Sequence, residues 1–280
     1  MKNLFVVVGG IGKNIIWTCL INELNYNYGQ CGDKISVMTP WPFVFYNNEN
    51  IDFIEPLAGF PFNEQLTKFD DIIYFEPYFS DFLKYKDKHI LNSWAEGYGI
   101  NSDFQKKPYL NYKPLNTKHK YLSGEIEKDY CIVQFSGAPN YYDQSFGDNQ
   151  NSLGKRDYRP DLVEKLIHKI KHHLNLDVIC LRKENQHKPS NVISYTSNED
   201  QGLLDILPLI EKAKFVICID SALMHLAATT DNDKVIVLWN ETQQNNKRIG
   251  YDFQTNLLCS NDICNDISPD EVFRAVESKL

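Results

Sequence analysis

No apolar run in the 280 residues approaches the ~20 residues that a bilayer span requires. The opening apolar block, Leu4-Phe5-Val6-Val7-Val8, is too short for a secretory signal and runs directly into glycines. A cytoplasmic chain that begins as an ordinary strand is therefore expected. Basic charge is scarce as well: 29 Lys and Arg stand against 37 Asp and Glu, a net charge of −8. A nucleic-acid partner would call for a basic excess, and none is written in these totals. The seven cysteines show no paired spacing pattern. Cys131, Cys180 and Cys218 sit inside apolar, strand-like runs, where a free thiol behaves as a small hydrophobe. Cys259 and Cys264 alone stand close together, and one C-x4-C without a second pair is a poor zinc signal. Short repeats and low-complexity blocks are lacking, apart from the polar stretch Asn140–Asn151, which reads as a long flexible loop. What is present is ordinary: 42% hydrophobic and 24% charged residues exclude disorder, collagen and coiled coil. A chain of this length is expected to form two domains.

Apolar, β-rich runs alternate with helical patterns from end to end, which predicts an α/β protein with parallel sheets. The first unit is a strand Leu4–Val8, a glycine turn, and a helix with Ile15, Ile16, Cys19, Leu20 and Leu24 on one face. Strands follow near Lys34–Met38 and Ile51–Ile54, then a further buried strand at Asp70–Phe75 and a helix over His89–Tyr98 ended by Gly97 and Gly99. From Asn101 to Lys128 periodicity fails, and prolines 108 and 114 mark a linker. A second series then begins: strands at Tyr130–Phe135, Asp177–Leu181, Phe215–Ile219 and Val235–Trp239, the last clear one. Helices are expected at Pro160–Leu174, Leu203–Ala213 and Ser221–Thr229. The final helix opens Ser268-Pro269-Asp270-Glu271. Serine at the N-cap, proline at the first helical position and glutamate at the third spell a capping box. Two Rossmann-like halves joined by one linker are the expected architecture.

The turn Val8-Gly9-Gly10-Ile11-Gly12-Lys13-Asn14 admits three readings. A dinucleotide fingerprint would start at Gly10 and Gly12, but Ile15 replaces the third glycine and would block close helix–strand approach. A phosphate-binding P-loop is matched by Gly12-Lys13, but Asn14 stands where a hydroxyl should hold magnesium. In the third reading the glycines only satisfy a tight strand-to-helix turn.

The segment that decides runs from Phe215 to Ala228, an apolar strand breaking into a helix at Asp220-Ser221. A helix N-terminus at the carboxyl end of a parallel strand offers free N–H groups and a positive dipole end to a diphosphate. Ser221 and Ala222 are small enough to let a ligand approach the backbone, and His225 lies about one turn further on. This stretch resembles the D-[ST]-G-x-x-H-x-A-A signature of the heptosyltransferase-like glycosyltransferases of family 9. Val235–Thr242 is similar to the family's strand followed by G-P-T, Asp266–Val272 to its closing helix, and Arg156-Asp157-Tyr158-Arg159-Pro160 to its K-x-W-P entry.

The resemblance implies a GT-B fold: two Rossmann-like domains facing each other across a cleft, residues 1–115 on the acceptor side and 125–280 on the donor side. It implies inverting sugar transfer from a nucleotide-sugar donor, without metal or cofactor, to a bacterial surface saccharide or lipid-linked acceptor. A peripheral contact with the inner membrane surface would follow from such an acceptor. Asp220, Ser221, Ala222 and His225 would then sit at the donor diphosphate and sugar. Arg156 would offset the leaving group's charge, Glu184 would make an acidic donor contact, and Thr242 would line the site. Gly10, Gly12 and Lys13 form the acceptor or phosphate loop. The family carries a catalytic aspartate where this sequence has Lys13, and a protonated lysine cannot take the acceptor's proton. Glu76 and Asp81, just past a strand end, are the candidate substitutes. Two other readings stand beside this one. Lys13 also suits a non-catalytic nucleotide-sugar or saccharide-binding member of the family, and Gly12-Lys13 a P-loop ATPase.

Overall fold

Residues 2–29, 34–57, 66–79, 88–112, 126, 128–137, 157–184, 186–196, 200–239, 249–259 and 266–280 are described by the structure, a computed structural model. They divide into two compact units, Met1–Lys113 with Lys247–Tyr251, and Pro114–Asn246 with Asp252–Leu280. Among the described residues no helix is long and apolar enough to cross a membrane. The expected loop Asn140–Asn151 and most of the linker after residue 112 lie outside the described residues.

In the first unit the elements run β1 (Asn3–Val6), α1 (Ile11–Trp17), α2 (Ile21–Tyr28), β2 (Ile35–Thr39), β3 (Ile51–Pro56), β4 (Asp71–Tyr74) and α3 (Ile90–Gly97). The strands form a parallel sheet in the order β3-β2-β1-β4. Its core is aromatic. The Phe5 ring meets Tyr28 and Tyr98 edge-on, each with centroids 5.3 Å apart, the arrangement that ring quadrupoles favour. Gly97 closes α3 where a Cβ would fall 2.4 Å from the Phe75 ring, and Gly99, at φ +66°, turns the chain out of it. The buried strand expected at Asp70–Phe75 is instead an edge strand. Among the described residues it is bonded only to β1 in this sheet, and Ile72 is 48% and Tyr74 52% exposed. Its apolar run predicted a strand correctly, but apolarity alone does not say that both faces are covered.

In the second unit the order along the chain is β5 (Tyr130–Gln134), α4 (Pro160–Leu174), β6 (Asp177–Arg182), β7 (Ile193–Thr196), a 3-10 segment (Asp200–Ile206), α5 (Leu207–Lys212), β8 (Val216–Ile219), α6 (Ala222–Thr229), β9 (Val235–Trp239), β10 (Thr255–Leu258) and α7 (Pro269–Glu277). The parallel sheet is ordered β10-β9-β8-β5-β6-β7. Leu162, Leu166, Ile167 and Ile170 on α4 pack in one core with Ile217, Leu238, Val272 and Val276. Burial pushes the thiols of Cys131, Cys180 and Cys218 up, Cys180 to about 12, so they serve as packing groups. Three expectations change here. β9 is not the last strand, because β10 pairs with it. β7 extends the opposite edge. The single helix expected over Leu203–Ala213 is a 3-10 segment followed by α5, with Pro208 in the first turn of α5. Proline lacks the N–H that would continue an α-helix backwards through that point.

Candidate functional site

Each sheet has one place where the strand order reverses. In the first unit the chain winds from β1 outward through β2 and β3, then returns to β4 on the other side of β1. In the second it winds from β5 through β6 and β7, then returns to β8 beside β5. Connections leave such neighbouring strands in opposite directions, so a crevice opens beyond their carboxyl ends, and ligands of open α/β sheets bind there. Gly10, Gly12, Lys13 and Glu76 lie at the first of these points, and Asp220, Ser221, Ala222 and His225 at the second.

At the β1/β4 point, Gly10 caps α1 from an extended conformation and Gly12 lies in the helix's first turn. Gly9 stands at φ +100°, and a Cβ there would meet the Lys13 side chain 2.7 Å away; glycine is required by backbone and neighbour alike. Lys13 reaches across to the end of β4 and pairs with the Glu76 carboxylate, the two side chains only 13% and 8% exposed. The other Glu76 oxygen accepts a hydrogen bond from the Tyr78 backbone N–H at 3.2 Å. Two rings flank the ammonium, Tyr78 at 4.9 Å and Trp94 at 5.6 Å from its nitrogen, within cation–π range. Burial pulls the Lys13 pKa down, and the hydrogen bond and charge of Glu76 oppose that pull without cancelling it. Asn14 is fully buried, donates to the Gly10 carbonyl and accepts from the Thr39 hydroxyl. Lys13 is thus paired with Glu76, and Asn14 ties the turn to the end of β2. Asp81 lies outside the described residues.

At the β5/β8 point, Asp220 and Ser221 follow β8 and Ala222 opens α6. Ala222 is helical and needs no glycine, since the non-glycine residues at positive φ are Asn47, Asn175 and Asn191. Asp220 and His225 are buried. Ser221 occupies the N-cap at φ −155° and ψ 174°, yet its hydroxyl does not cap the helix. It donates instead to Oε1 of Gln134, the last residue of β5, at 2.7 Å. The backbone beyond β5 is held as well. The Gly137 N–H donates to Asp157 at 2.8 Å, and its carbonyl accepts from Gln186 at 2.7 Å. The structure thus gathers Asp220, Ser221, Ala222 and His225, and leaves Glu184 on an exposed turn after β6. Arg156 and Thr242 lie outside the described residues. Sequence reasoning missed Gln134, Tyr78 and Trp94. A polar residue ending an otherwise apolar strand was the one available signal for Gln134.

Residues 200–267, which run from the 3-10 segment through α5, β8, α6, β9 and β10, match the family model for glycosyltransferase family 9 (heptosyltransferase). No curated protein sequence matches the chain. Among solved structures, a family 9 glycosyl transferase from Veillonella parvula DSM 2008 is similar with a TM-score of 0.73 at 13% identity, covering 99% of this chain and 96% of that one. The E. coli ADP-heptose lps heptosyltransferase II gives 0.70 at 13% identity, covering 100% and 98%. E. coli heptosyltransferase WaaC with ADP gives 0.64 at 12%, covering 100% of both. The resemblance read from Asp220–Ala228 is borne out, and so is the GT-B fold class. The chain resembles the heptosyltransferases in fold and in its signature segment.

Proposed function

We propose that this protein is an inverting, metal-independent glycosyltransferase that moves a sugar from a nucleotide-sugar donor to a bacterial surface saccharide or its lipid-linked precursor. The observation that carries this reading is the family match falling on the β8–α6 junction, where Asp220 and His225 are buried beside a helix N-terminus that the Ser221 side chain does not cap. The backbone N–H groups of the first turn and the helix dipole suit the donor diphosphate there, with Asp220 and His225 beside the sugar. Arg156, Glu184 and Thr242 complete the donor side in this reading. The first unit supplies the acceptor side. Inversion requires a base at the attacking hydroxyl, and Glu76 takes that role in place of the family's aspartate. Lys13 orients the Glu76 carboxylate from the position the aspartate would occupy, and Asp81 is the second candidate. The nucleotide that WaaC holds, ADP, makes an adenine nucleotide the first donor to test.

Isothermal titration with ADP, GDP and UDP, with and without magnesium, followed by donor turnover, tests the reading. Binding is expected without metal, and Ser221→Phe should abolish it in a folded protein. Glu76→Gln should lower kcat by roughly 10²-fold or more while donor affinity stays within twofold. Failure of all three nucleotides to bind would refute the proposal. Binding without turnover in the wild type would favour the non-catalytic reading, for which Lys13 in place of an acid is the supporting observation.

A further inference from the structure

We propose that Gln134 is a positioning residue whose task is to keep the Ser221 hydroxyl from capping its own helix, so that the hydroxyl does not compete with the donor diphosphate for the Leu223 N–H. The inference rests on the donor-site reading above and adds a residue that neither the signature segment nor the family match, which begins at residue 200, contains.

Serine at an N-cap ordinarily turns its oxygen onto the N–H of the second or third helical residue. Ser221 has the extended backbone of an N-cap, φ −155° and ψ 174°, but makes no such bond. Its proton goes 2.7 Å to Gln134 Oε1. The two residues are 87 positions apart in the chain and meet because β5 and β8 are neighbours, with Gln134 in register with Cys218. The Gln134 amide is itself fixed, its Nε2 donating to the Ser136 carbonyl at 3.3 Å. That second bond holds Oε1 toward Ser221. The Met224 N–H already donates to the Ser221 carbonyl at 3.2 Å, so without Gln134 a rotation about the Ser221 side chain would let the hydroxyl oxygen accept from the Leu223 N–H and compete with an anion for it.

The test is a double-mutant cycle read by isothermal titration, with whichever of ADP, GDP and UDP the wild type binds. Gln134→Ala, and Gln134→Met as a variant that keeps the side-chain volume, should each weaken affinity about fivefold, the worth of one N-cap hydrogen bond. In a Ser221→Ala background, where no hydroxyl remains to compete, the same changes should leave affinity unaltered. A general loss of packing at Gln134 would weaken binding in both backgrounds. Equal losses in both, or no loss with Ser221 present, would overturn the role of Gln134 while leaving the donor site standing. A wild type that binds none of the three nucleotides would overturn the donor-site reading itself and this inference with it.

Discussion

Lys13 and Glu76 are charges taken largely out of water together, and such a pair holds only while each compensates the other. Removing one partner leaves the second charged and stranded, so Lys13→Met should destabilise the first unit by about 3 kcal/mol, read from urea unfolding at pH 7. Adding Glu76→Gln should recover part of that loss, because the stranded charge is then gone. The sign of the pH dependence follows from the direction of the Lys13 shift. Burial sets its folded pKa below its ordinary value, so above the folded value the unfolded chain binds more protons than the native one. Stability from this group therefore rises with pH between the lowered folded value and the ordinary lysine value. The stability gap between wild type and Lys13→Met should widen over that alkaline window. A gap that narrows there would mean the pair raises the lysine pKa, against the dominance of burial.

Helix α7 shows how much of an element its first four residues decide. Ser268 accepts from the Glu271 N–H at 3.2 Å, Pro269 takes a first-turn position, and Asp270 and Glu271 face the positive end of the dipole. Ser268→Ala should cost about 1 kcal/mol, measured as a lower urea midpoint with an unchanged slope. An unchanged midpoint would mean that Val272, Phe273 and Val276 hold the helix by burial alone. Elements with such local signals were legible in the sequence: α4 and β9 stand at the expected bounds, Pro160–Leu174 and Val235–Trp239. β7 and β10 were not legible, because Ile-Ser-Tyr-Thr and Thr-Asn-Leu-Leu are half polar and take their order from the neighbouring strand. The candidate site divides the same way. Asp220 to His225 is contiguous and could be read as a motif. The Lys13–Glu76 pair spans 63 positions and Ser221–Gln134 spans 87, so these pairings exist only once the sheet order is set.

The two units differ in how the chain builds them. The first is completed by a late return, Lys247–Tyr251, of which residues 249–251 are described. Its Gly250 carbonyl lies 3.1 Å from His89 Nε2, and its Tyr251 ring is 3% exposed. The second unit is interrupted by that return but has its own continuous core around α4, the sheet and α7. Separate cores predict separate melting, so scanning calorimetry should resolve two transitions. Tyr251→Ala deletes a buried aromatic from the first unit and should lower only one of them, by an amount equivalent to about 3–5 kcal/mol. A nucleoside diphosphate acts on the other. A ligand at 100 times its Kd stabilises the state that binds it by about 2.7 kcal/mol. For a unit of this size that raises the midpoint by roughly 5–10 °C. The transition lowered by Tyr251→Ala and the transition raised by nucleotide must therefore be different ones. If nucleotide instead raises the transition that Tyr251→Ala lowers, the donor site belongs to the first unit and the assignment of the β8–α6 junction as the diphosphate site is wrong.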